Sequence, residues 1–311
     1  MKTLLLTGAF AALALMTAPA AAQEHESHET AAAGHQDHHA DFQSGRLHVR
    51  LDGPVGAPDI ILIPGLSSSP HVFDALTEQL ATRYRVHRIH VQGFAGAPAM
   101  DNAQGPVAAP VAEEIARYIA EKHLDHPAVI GHSMGGTIGL MLAARHPDSV
   151  GRLMVVDMVP FMGAMFGGPG ATAESVAPVA DQFYTGMMSA PEEAYRAQGA
   201  ATVTGMINNE AARAGPLEDS ARSDRAVSAA AFRELIVTDL TPELARITVP
   251  TTVLYVKFND PRMTAEITDG IYRASFANLP AARLKRIDDS AHFIMLDQPA
   301  QFAAEVNAFL E

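Results

Sequence analysis

Two spacings of apolar residues alternate along the chain from residue 45 to the C-terminus. Residues 46–51 switch between polar and apolar at every second position, which predicts a strand with one exposed face at a sheet edge. Residues 59–63 are a nearly unbroken aliphatic run, which predicts a strand buried on both faces. The spacing then predicts a helix over 72–81, a strand over 84–91, a helix over 109–123, a strand over 127–130 and a helix over 137–144. Strands follow over 153–157, 251–256 and 283–287, and a last helix over 300–309. Strand and helix alternate with crossovers of about thirty residues, so the fold expected is α/β, with a mostly parallel sheet covered by helices on both faces.

The densest chemistry lies where the strand over 127–130 must turn at once into a helix. Gly131-His132-Ser133-Met134-Gly135 places glycines on both sides of a serine, removing the Cβ atoms that would block so sharp a turn. Such a nucleophile elbow holds Ser133 strained, with Oγ at the carboxyl edge of the sheet and a helix N-terminus behind it. The N–H of Met134 is then a candidate oxyanion donor, and that of Leu66 a second. Leu66 lies in Pro64-Gly65-Leu66-Ser67-Ser68-Ser69-Pro70, directly after the buried strand over 59–63. The three serines read as ordinary loop solvation for at least two of them. His71 and Phe73, opening the next helix, are candidate pocket residues.

From 160 to 247 the strand signal disappears, and helices are expected over 176–184, 192–203 and 226–236. An insertion of this size after a strand is expected to form a helical cap over the active-site edge. Met158, Met162, Met165, Phe166, Met187, Met188 and Met206 make it rich in flexible apolar side chains, and Met162 and Phe166 are candidates for a pocket wall. Beyond the insertion, Asp260 follows a buried strand and precedes Pro261, a position from which a carboxylate can hold an imidazole. His292 follows the last strand by a few residues. His132, next to the nucleophile, reads as structural. Asp157 is the rival acid; Asp260 is preferred because Asp157 is expected still within its strand and is followed by apolar residues.

These residues resemble the α/β-hydrolase fold superfamily, through Leu62-Ile63-Pro64-Gly65 with its serine loop, Gln92-Gly93-Phe94-Ala95-Gly96, the elbow, and the segments carrying Asp260 and His292. The resemblance covers about residue 46 to the C-terminus, apart from the insertion. It implies Ser133 as nucleophile, Asp260 as acid and His292 as base, in the chain order usual on that fold. Two features depart from it: Pro64 stands where many members have His, and the amino-terminal part of the sheet reads as shortened. The implied activity is a serine hydrolase cleaving a carboxylic ester through an acyl-enzyme, with no metal and no other cofactor. Lactones, amides and carbon–carbon bonds can be cleaved by the same groups, whereas dehalogenase chemistry on this fold needs a carboxylate nucleophile. A ligand-binding protein on a hydrolase scaffold is the non-enzymatic alternative.

Composition adds an address. Of 311 residues 48% are apolar, enough for a sizeable core, and the formal charge of −13 argues against nucleic acid or anionic lipid as a partner. Lys2, the apolar run over 4–16 and Ala20-Ala21-Ala22 before Gln23 read as a secretory signal peptide at 1–22 rather than a stable membrane anchor. Residues 23–41 carry His25, His28, His35, His38 and His39 with almost no larger aliphatic residue, so they read as a disordered linker. There is no cysteine, hence no disulfide framework. The expected organisation is a signal at 1–22, the linker at 23–41, an α/β core at 42–159 and 248–311, and the cap at 160–247. The protein is expected in the periplasm or secreted, acting on a small apolar ester-like molecule.

Overall fold

The structure, a computed structural model, describes residues 42–257, 260 and 262–311. The signal peptide and the histidine tract lie outside the described residues. The sheet opens with β1 (Phe42–Gln43) and β2 (Leu47–Asp52), and the aliphatic run forms β3 (Asp59–Ile63). A short 3-10 turn (Pro70–Phe73) leads into α1 (Asp74–Leu80), then come β4 (Arg85–Val91), α2 (Ala108–Lys122), β5 (Ala128–His132), α3 (Met134–Arg145) and β6 (Arg152–Val156). Five helices are inserted next: α4 (Ala164–Gly167), α5 (Ala173–Ser189), α6 (Glu192–Gly205), α7 (Ala214–Arg222) and α8 (Arg225–Val237). The sheet resumes with β7 (Thr251–Tyr255), followed by α9 (Ala265–Ser275), β8 (Arg283–Arg286), α10 (Ile294–Asp297) and α11 (Pro299–Leu310).

The strand order is β1-β2-β4-β3-β5-β6-β7-β8. β1 and β2 pair antiparallel with their neighbours, and all pairings from β4 to β8 are parallel. Among the described residues the amino-terminal edge of the sheet is β1, two residues long. The alternation in the buried strands sorts side chains between two cores. Ile60 and Leu62 face one layer with Phe73, Leu76, Leu80, Phe302 and Val306, while Ile61 and Ile63 face the other with Val111, Ile115, Ile138 and Leu142. The chain leaves β3 toward β4 and returns across it to β5, so the strand order reverses between β3 and β5. The carboxyl ends of these two strands thus flank a crevice of the kind in which ligands bind on open α/β sheets. β3 ends in the serine loop and β5 in the elbow.

The helical insertion is docked on that same edge. Ser69 donates from N–H (2.8 Å) and Oγ (2.6 Å) to Oδ2 of Asp219 on α7, and the hydroxyls of Ser67 and Ser228 of α8 lie 2.8 Å apart. Ser68 donates to the carbonyl of Leu66 at 3.3 Å. The three serines do not serve loop solvation, as the sequence suggested: two tie the loop to the insertion and the third closes the loop on itself. Among the described residues no helix is long and apolar enough to cross a membrane.

Candidate active site

Ser133 stands between β5 and α3 at φ 54°, ψ −120°, a conformation costly for a residue with a side chain. Its N–H donates to the carbonyl of Val156 at 2.9 Å, which fixes the turn against β6. A Cβ on Gly131 would overlap the carbonyl of Gly135, and one on Gly135 that of Ile63, so only glycine permits the first turn of α3 to press on the ends of β5 and β3. His132 and Met134 are fully buried while Ser133 remains partly exposed. The elbow therefore presents one side chain outward. The serine loop runs beside it: the Cβ direction of Gly65 ends 3.1 Å from Cβ of Ser133. The N–H groups of Leu66 and Met134 donate to no acceptor among the described residues, Met134 because it is the first residue of its helix.

His292 lies between β8 and α10, in a loop held by Asp297 Oδ2, which accepts from Ala291 N–H (2.7 Å), and by Gln298, which donates to the carbonyl of Asp289 (2.9 Å). The His292 ring meets the carboxylate of Asp157, with Nδ1 2.6 Å from Oδ2. Nδ1 donates to that carboxylate, so Nε2 is the ring nitrogen left to take a proton. The other carboxylate oxygen of Asp157 accepts from the N–H of Val256 (3.1 Å) and the hydroxyl of Tyr272 (3.0 Å). Asp157 is 9% exposed, a buried carboxylate supplied with three donors.

Here the structure corrects the sequence-based choice of acid, for it is Asp157 and not Asp260 that holds His292. β6 ends at Val156, one residue earlier than expected, and Asp157 takes φ 51°, which turns it out of the strand. Asp260 is engaged locally instead. Arg262 donates to it from N–H (2.8 Å), Nε (3.0 Å) and Nη2 (2.6 Å), and this guanidinium holds the Asp260 carboxyl low, at about 2.

His132 does more than fill space beside Ser133. Its Nε2 lies 3.0 Å from the carbonyl of His292 and must carry the proton of that bond, and its ring packs 4.6 Å from that of His292 and 4.8 Å from that of Phe293. Burial keeps its pKa well below the ordinary value, so it stays neutral next to the second imidazole. The four pocket candidates fall in different places. His71 is about half exposed and bonded to Asp74 (2.9 Å), turned away to the surface, and Phe73 is fully buried in the core under the sheet. Met162 is buried in the opposite core layer. Phe166 packs on Phe183, ring centroids 5.4 Å apart, within the insertion. The segment leaving Asp157 does pass the elbow, since Met158 Cβ lies 3.1 Å from where a Cβ on Gly136 would be. Tyr272 and Asp219 were missed because helices α9 and α7 were not foreseen, although the amphipathic spacing of both segments could have shown them. Among the described residues no three His, Asp or Glu side chains gather as a metal site.

The model of the alpha/beta hydrolase family matches residues 60–305, most of the chain. The chain belongs to the alpha/beta hydrolase family. This hydrolase is 25% identical over 262 residues to a pimeloyl-[acyl-carrier protein] methyl ester esterase of Aeromonas hydrophila, covering 81% of the chain and 95% of that relative. It is 36% identical over 104 residues to the esterase of that name from Chromobacterium violaceum, a match that spans only 33% of the chain and 38% of the relative. Its fold is similar to that of the enol-lactonase from Burkholderia xenovorans LB400, with TM-score 0.67, 20% identity, and 86% of this chain and 97% of the other covered.

Proposed function

We propose that this hydrolase cleaves a carboxylic ester through an acyl-enzyme on Ser133, with His292 as general base and acid and Asp157 as the carboxylate behind it. The observation that carries the reading is the 2.6 Å contact of His292 Nδ1 with Asp157 Oδ2, at the same sheet edge as a serine held at positive φ. In this reading Oγ of Ser133 attacks the ester carbonyl carbon and its proton passes to Nε2 of His292. The carbonyl oxygen, now anionic, is met by the N–H groups of Leu66 and Met134. Collapse breaks the bond to the alkoxy oxygen, which leaves as the alcohol with the proton from His292. Water then attacks the acyl carbon, giving its proton to His292, and the acid departs as Ser133 recovers its hydrogen. Asp157 fixes the imidazole tautomer and stabilises the imidazolium.

The ester is preferred over a lactone, amide or carbon–carbon bond because the two sequence relatives named above are esterases, whereas the enol-lactonase is similar in fold alone; no metal or cofactor enters the scheme. Met162 and Phe166 are left out of the proposed pocket, since Met162 is buried in a core layer and Phe166 packs on Phe183 within the insertion. The test is covalent labelling by a fluorophosphonate together with turnover of a small ester. The parent should label stoichiometrically at Ser133 and turn over; Ser133→Ala should do neither. Turnover surviving in Ser133→Ala would end this reading. Export is part of the same proposal and rests on the pattern of residues 1–22. Expressed with its full sequence in a Gram-negative host, the protein should be recovered outside the cytoplasm beginning at Gln23; recovery in the cytoplasm with Met1 in place would contradict it.

A further inference from the structure

We infer that Tyr272 is a positioning residue for the carboxylate behind the catalytic imidazole, setting both the orientation of Asp157 and the basicity of His292. The inference rests on the proposed role of Asp157. The carboxylate divides its oxygens cleanly: Oδ2 faces His292, while Oδ1 accepts from Val256 N–H (3.1 Å) and the Tyr272 hydroxyl (3.0 Å). The backbone donor is fixed by β7. Among the described residues the phenol is the one side-chain donor on Oδ1, and it comes from α9.

Three observations show that the phenol is held for this contact. Tyr272 is 1% exposed, and its ring stacks on that of Tyr255 at 4.0 Å with an interplanar angle of 18°. The hydroxyl of Tyr255 donates to Asp269 (2.9 Å), on the same helix as Tyr272, and Arg286 of β8 donates from Nη1 to both oxygens of Asp269 (2.7 Å each). One turn of α9 is thereby locked onto β7 and β8, and Tyr272 is delivered to Asp157 with little freedom to turn away. Burial and the Asp157 charge both raise the Tyr272 pKa well above its ordinary value, so the hydroxyl keeps its proton and remains a donor.

A donor on Oδ1 withdraws negative charge from the carboxylate. The imidazolium formed at His292 is then stabilised less than it would be by a bare carboxylate, and its proton is more readily returned to the leaving group. Among the described residues, the charged and titratable groups in contact with this cluster are His292 itself, neutral His132 from β5, Tyr255 from β7, Tyr272 from α9, and beyond them the Asp269–Arg286 pair. None of these except Tyr272 donates to Oδ1.

The test is the pH profile of kcat/KM for a small ester. In Tyr272→Phe, which keeps the stacked ring, the acid limb should move up by about half a unit to one unit, and kcat should fall about three- to tenfold with KM nearly unchanged. Replacing Tyr272 by 3-fluorotyrosine, a stronger donor, should move the limb down. Tyr255→Phe removes the hydroxyl that ties β7 to Asp269 but leaves the donor on Asp157, and should leave the limb in place. An unmoved limb in Tyr272→Phe would overturn the inference, and so would an equal shift in both Phe variants, which would assign the effect to packing of α9. Full activity in Asp157→Asn would instead overturn the acid assignment, whatever Tyr272→Phe shows.

Discussion

Ser133 and Asp157 share a backbone feature: each carries a side chain at positive φ, 54° and 51°, directly after a buried strand. Each such residue costs about 1–3 kcal/mol and persists only where the surroundings over-determine it. For Ser133 the cause was legible, because flanking glycines announce the turn. For Asp157 it was not: its N–H still bonds to Leu254 O (2.7 Å), as a strand residue's would, and periodicity alone reads it as strand. Asp260 looked better placed, but Arg262, two positions on, captures it first. Tyr272 was invisible because a single aromatic on a helix announces only packing. At this scale Gly135→Ala is informative, since its Cβ would overlap the backbone of Ile63 and Pro64. It should destabilise the fold by about 1–3 kcal/mol, seen as a lower urea midpoint with an unchanged slope. An unchanged midpoint would show that the elbow can relax.

Among the elements, the strands were read closely, because an unbroken aliphatic run flanked by turn residues has few alternatives. β3 has the expected limits, and β4, β5, β6 and β8 differ from them by one or two residues. The insertion was legible as helical but its docking was not, since hydrogen bonds between distant polar residues leave no periodic trace. The link from Asp219 to Ser69 bears on the chemistry proposed. It fixes the loop that carries the Leu66 N–H, and Ser67, held by Ser228, sits at φ 54° next to that donor. Asp219→Ala should therefore displace an oxyanion donor rather than a binding contact. Its kcat on a small ester should fall about ten- to a hundredfold with KM little changed, somewhat less than loss of the donor itself. A change confined to KM would show that α7 only shapes the pocket.

For the molecule as a whole, the α/β architecture follows from the alternation of strand and helix periods, and the strand reversal between β3 and β5 places the serine loop and the elbow on one crevice. His292 comes from the loop after β8 and contacts Asp157, which follows β6, two strands in and past β7; Asp260, after β7, is bound by Arg262 instead. The proposal of Asp157 thus rests on side-chain contacts across the sheet edge, which the order of residues in the chain does not carry. The most direct measurement is kcat on a small ester for Asp157→Asn and Asp260→Asn side by side. Asp157→Asn should lose roughly two to four orders of magnitude through the wrong imidazole tautomer, while Asp260→Asn stays within about threefold of the parent. A collapse in Asp260→Asn with Asp157→Asn nearly intact would contradict the account.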